Sequence, residues 1–203
     1  MEAVLRREGW ERGWLMPDYP SKVYLVGMMG VGKTTVGRLV SRFLGRPYLD
    51  SDEQVLAATG YTVPELHSLF GESAYRAQES AALARAATSD VPIVCSVAGG
   101  AVLEPHNRHL LRLGGAIVWL RAEVSTMAHR VGRGQGRPLL GEDPTSVLRL
   151  LDAVRRPLYG SLATGVVDVD GITPEVACER VSRTVRHGSA WSPGLGPYPP
   201  ASH

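Results

Sequence analysis

Residues 24–40, YLVGMMGVGKTTVGRLV, decide the fold. Gly27, Gly32, Lys33 and Thr34 fit the pattern G-x-x-x-x-G-K-[ST]. An apolar run, KVYLVG (22–27), leads into the motif. A helical stripe of Val36, Leu39, Val40 and Phe43 follows it. Backbone N–H groups must wrap a polyphosphate, which calls for glycines that accept positive φ and close approach. The start of the helix adds partial positive charge, the lysine reaches the β- and γ-phosphates, and the first threonine hydroxyl ligates Mg²⁺. The stretch therefore predicts a nucleotide cradle built from Gly27, Met28, Met29, Gly30, Val31, Gly32, Lys33, Thr34 and Thr35.

The same alternation continues outward. RPYLD (46–50), VPIVCSV (91–97), AIVWL (116–120) and GVVDVD (165–170) are further short strands, and two of them are apolar almost throughout, as parallel strands covered on both faces tend to be. Val147, Leu150, Leu151 and Val154 mark one later helix, and Ala177, Val181 and Val185 the last. Strands separated by helices predict an α/β fold with a five-stranded parallel sheet between two helical layers. Ligands of such sheets bind beyond the C-terminal ends of the strands.

The chain has 203 residues, of which 44% are hydrophobic and 21% charged, and its formal net charge is +2. That suits a single domain handling small anions, with no demand for a nucleic-acid partner. Residues 1–20 show no sustained period and are expected to be a loosely ordered extension; 187–203 are rich in Pro, Gly and Ser and are expected to be a disordered tail. The folded unit is placed at 21–186. Two cysteines without metal spacing, Cys95 and Cys178, read as reduced thiols. No apolar stretch approaches the roughly 18 residues of a membrane span. A cytoplasmic, membrane-free monomer is the expected setting. N-K-x-D is absent, which disfavours a GTPase, and no apolar strand ends in Asp-Glu, which disfavours motor-type ATPases.

Six segments in order, GMMGVGKTTVGRLV, YLDSDE, YRAQE, AGGAVL, GRPLL and RRPLY, resemble the shikimate kinase family from about Lys22 to Val185. The resemblance implies a P-loop kinase fold with a lid loop at about 127–142 and a small helical substrate-binding region. It implies ATP and Mg²⁺ as nucleotide and metal, and shikimate, phosphorylated at its 3-hydroxyl, as acceptor.

By the same resemblance Asp50 holds the metal with Thr34, and Asp52 grips the acceptor hydroxyls. Phosphoryl transfer depends mostly on positioning and charge stabilisation, so orientation outweighs base strength for Asp52. The bland alternative is that the pair caps the next helix. Arg76 and Arg155 are implied as a carboxylate clamp, since a planar guanidinium grips a carboxylate through two parallel bonds. Glu79, one turn after Arg76, is placed to orient it. Arg137 in the glycine-rich flap is the implied charge stabiliser, with Lys33 and Asp52 completing the catalytic set. Arg130 is implied to stack on adenine, Pro174 to lie in the base-binding loop, and Gly99 and Gly100 to line the acceptor site.

Two positions depart from the family pattern. Ala98 stands where a third glycine is usual, and His67 where an aromatic such as Phe is usual. At a positive φ, alanine would cost about 1 kcal/mol or more. These departures leave open a related kinase acting on another anionic cyclic polyol or sugar acid. A third possibility, a binding module without catalysis, is opposed by the presence of Lys33, Thr34, Asp52 and Arg137.

Overall fold

The computed structural model describes residues 19–132 and 143–187. Five strands form one parallel sheet: β1 (Lys22–Val26), β2 (Tyr48–Asp50), β3 (Ile93–Ser96), β4 (Ala116–Arg121) and β5 (Gly165–Asp168). Their order across the sheet is β2-β3-β1-β4-β5. The chain leaves the central strand β1 for one side and later crosses to the other. That switch opens a crevice at the C-terminal end of β1, where the phosphate loop begins.

Among the described residues seven helices complete the fold: α1 (Lys33–Leu44), α2 (Ser51–Thr59), α3 (Val63–Thr88), α4 (Pro105–Gly114), α5 (Val124–Gly132), α6 (Pro144–Leu162) and α7 (Pro174–His187). Val23, Leu25, Ile93, Val94, Val118 and Leu120 are fully buried, as strands covered on both faces require. β2 and β3 begin two residues later than expected, and β3 and β5 end one and two residues earlier, where the chain turns into loops. α7 carries Ala177, Val181 and Val185 inward as expected and runs through His187. The remaining terminal segments lie outside the described residues.

Two helical stripes differ from the expectation. On α1 the inward face ends in Leu44, while Phe43 is 54% exposed and meets the ring of Tyr19 edge-on. On α6 the expected stripe is turned by one residue. Leu150 and Val154 face solvent, and Leu148, Asp152, Arg155, Tyr159 and Leu162 face inward. The inward set keeps helical spacing, but two of its members are charged, so a pattern sought in apolar residues settles on their neighbours.

α3 is two helical segments joined at Gly71, whose φ of 81° and ψ of 171° break the helix. Its start is secured by a capping box between Thr62 and Glu65. The bend swings residues 63–70 over the mouth of the crevice. This flap of helix rests with α2 on a separate small core of Val55, Leu66, Tyr75 and Ala82. It is the small helical region expected beside the sheet.

Candidate active site

The phosphate loop has the backbone its glycines predict. Gly27, Gly30 and Gly32 take φ of 139°, 81° and 96°. At Gly30 a Cβ would stand 2.9 Å from both the Met127 carbonyl oxygen and a Val131 methyl, so a side chain is excluded twice over. Met28 and Val31 bury their side chains in the core, leaving only their backbone for a ligand. The Lys33 ammonium donates to the carbonyls of Gly27 (2.8 Å) and Met28 (3.0 Å), arching across the loop it follows. Thr34 and Thr35 stand on the first turn of α1 and line the cleft.

The carboxylate Asp50 closes β2 and does two things at once. One oxygen accepts the Asp52 backbone N–H (3.1 Å) and caps α2, as the bland alternative held. The other accepts the hydroxyls of Thr34 (3.1 Å) and Tyr48 (3.0 Å). A hydroxyl from the first turn of α1 and a carboxylate from the end of β2 suit Mg²⁺, which keeps water and phosphate as its other ligands. Among the described residues no cluster of three His, Cys, Asp or Glu offers a fuller metal cage.

Asp52, in the first turn of α2, is reached by solvent through the cleft mouth yet crowded by protein. Burial first, then the charge of Asp50, raise its pKa; Lys33 pulls the other way. Its Oδ1 accepts the Tyr75 hydroxyl at 3.3 Å.

The two arginines converge as expected. Arg76 lies over Gly100, where a Cβ would come within 2.5 Å of its guanidinium. Arg155 lies beside Gly99, where a Cβ would be 3.5 Å from its Nη1. Gly99 and Gly100 thus leave space for two side chains arriving from different helices. Arg76 is paired with Glu79 (2.9 Å) and Glu72 (3.2 Å). Arg155 is 92% buried by its surroundings, being 8% exposed, and has no carboxylate within ion-pair distance among the described residues. A buried cation without a countercharge calls for an anion to compensate it. Tyr159 helps to shape this wall by donating to the Gly99 carbonyl at 2.7 Å.

Ala98 does not take positive φ, since no residue but glycine does among the described residues. Its backbone N–H donates to the Ser51 hydroxyl at 2.8 Å, so the alanine adds a methyl to the wall and no strain. His67 lines the cleft with its ring 4.7 Å from that of Tyr75. Arg130 donates to the carbonyls of Val31 (3.3 Å) and Val169 (3.0 Å), joining the phosphate loop to the loop after β5. Pro174 starts α7 and is not among the cleft-lining residues. Residues 127–132 of the expected lid belong to α5; 133–142, with Arg137, lie outside the described residues.

One cleft of about 740 Å³ is lined by Lys33, Thr34, Asp50, Asp52, Arg76 and Arg155 among others. Sequence reasoning did not single out Tyr75 or Tyr159. Tyr75 does stand beside Arg76 in the quoted YRAQE, but nothing local marked its hydroxyl.

A phosphate loop on the central strand of a parallel sheet, facing a carboxylate and two arginines, defines a P-loop phosphotransferase for a small acidic molecule. A family model described as Shikimate kinase matches residues 29–186. The shikimate kinase of Symbiobacterium thermophilum is 47% identical over 145 residues, covering 70% of this chain and 82% of its own. That of Bordetella pertussis is 42% identical over 156 residues, covering 76% and 72%. The structure of shikimate kinase from Acinetobacter baumannii in complex with shikimate superposes with a TM-score of 0.79 at 33% identity, covering 84% of this chain and 95% of that one. The chain belongs to the shikimate kinase family.

Proposed function

We propose that the unit at 21–186 transfers the γ-phosphoryl group of ATP to the 3-hydroxyl of shikimate, giving shikimate 3-phosphate and ADP in the chorismate route to aromatic amino acids. The observation that carries this is the meeting of Arg76 and Arg155 over Gly99 and Gly100 in the same cleft as Lys33. A carboxylated ring seated there puts its acid on the guanidinium groups and its hydroxyls toward Asp52. The relative crystallised with shikimate supports the same acceptor. Another cyclic polyol or sugar acid is not favoured, because Ala98 is unstrained and the relatives share one substrate name.

Each residue then has a task. Loop N–H groups and Lys33 hold the β- and γ-phosphates. Thr34 and Asp50 hold Mg²⁺, which when bound neutralises charge on the phosphates. Asp52 accepts a hydrogen bond from the acceptor hydroxyl and turns its oxygen toward the γ-phosphorus. The new O–P bond forms as the bond to the β-phosphate bridging oxygen breaks, and the hydroxyl proton passes to the Asp52 carboxylate. Arg130, which bonds the carbonyls of Val31 and Val169, stacks on the adenine. The setting is a cytoplasmic monomer. Both cysteines are free, and complete burial pushes the Cys95 thiol up to about 12, as suits an inert structural thiol.

Coupled ATP turnover against a panel of cyclic acids and polyols tests the assignment. Fast turnover is expected with shikimate alone; no acceleration with shikimate beside turnover of another acceptor overturns it.

A further inference from the structure

The Tyr75 hydroxyl lies between two carboxylates that belong to different parts of the cleft. It is 2.7 Å from Glu79 Oε1 and 3.3 Å from Asp52 Oδ1. Glu79 is fully buried and its two oxygens accept from Arg76 Nη1 at 3.1 and 2.9 Å. Asp52 is on α2, and the other three residues are on the second segment of α3. An unbroken hydrogen-bonded line therefore runs from the carboxylate that faces the acceptor hydroxyl to the guanidinium that faces the acceptor acid.

We propose that Tyr75 is a positioning residue that sets Asp52 relative to Arg76, and so fixes the distance between the two ends of the bound acceptor. This rests on the cleft being the acceptor site as described above. The chemistry fits the task. A buried phenol flanked by two carboxylates has its pKa pushed up, so it stays a donor. With one proton and two acceptors it holds Glu79 closely and Asp52 more loosely. Asp52 is thereby steadied through Oδ1, with Oδ2 left for the substrate. The ring is clamped to match, with His67 on one side at 4.7 Å and the Arg76 guanidinium 5.1 Å from its centroid. His67 accordingly acts as packing for Tyr75.

Steady-state kinetics of native enzyme, Tyr75→Phe and Glu79→Gln, with thermal melting of each, test the proposal. The acceptor is shikimate, or whichever acid the panel identifies if shikimate fails, so the two ideas fall separately. Tyr75→Phe should lower kcat roughly tenfold, with KM for ATP within about twofold of native and little change in melting temperature. Glu79→Gln should lower kcat as well as raise the acceptor KM, because it loosens both ends of the line. A Tyr75→Phe enzyme with native kcat overturns the proposal. So does one whose affinity for ATP and acceptor falls in step with its melting temperature. If that variant does not fold, Glu79→Gln decides: a raised acceptor KM at native kcat overturns the link, and a lowered kcat supports it.

Discussion

The phosphate loop hangs from β1, the central strand, and its buried residues belong to the main core; the acceptor wall hangs from α2 and α3, beyond the β2 edge, over a core of four buried residues. The first region is a backbone device. Three glycines at positive φ and one lysine make it, and all four lie within residues 27–33. The second is a side-chain device, assembled from Asp52, Tyr75, Arg76, Glu79 and Arg155 across three helices. The contrast teaches that nucleotide affinity and acceptor affinity rest on different parts of the structure and should fail separately.

The largest effect is expected of Lys33→Ala, which removes the ammonium that reaches the β- and γ-phosphates. Turnover with any acceptor should drop about a thousandfold or more, seen in kcat by coupled assay. Arg155→Ala comes next and should be one-sided. It deletes a buried cation with no carboxylate partner among the described residues, so kcat/KM for the acid acceptor should fall roughly a hundredfold while KM for ATP stays near native. Equal losses on both substrates would break the comparison. Gly71→Ala probes the acceptor wall alone. Nothing lies within 4 Å of the added methyl, so the cost is that of alanine at φ 81°, about 1 kcal/mol or more. Hydrogen exchange should show it as faster opening of residues 63–70 with the β1 amides still protected. Ala98→Gly should do least. No strain is released there, and kcat/KM for shikimate should stay within about threefold of native.

What was legible in the sequence divides along the same line. The phosphate loop could be read whole, because its function needs consecutive backbone groups and therefore a contiguous motif. The sheet followed from apolar strands, since burial on both faces leaves no polar position to confuse the pattern. α6 was harder: Arg155 and Asp152 occupy the buried face, and Leu150 and Val154 decorate the outer one. Function had overridden the hydrophobic code there, as it does where a core position becomes a site wall. Tyr75 could be placed on a helix, but its partners are Asp52, 23 residues away, and Glu79, one turn on. Local spacing reveals the second contact and has no means of revealing the first.

By itself, then, the sequence determined the parallel α/β sheet and the phosphate cradle, because each follows from residue type and short-range period, whereas the two arginines were marked out by resemblance to the family. Only the tertiary structure decided that Arg76 and Arg155 meet over two glycines, that Ala98 sits there without strain, and that one phenol joins the two ends of the cleft. Those are distances between segments far apart in the chain, and they are set by how helices pack on the sheet rather than by any neighbour in sequence.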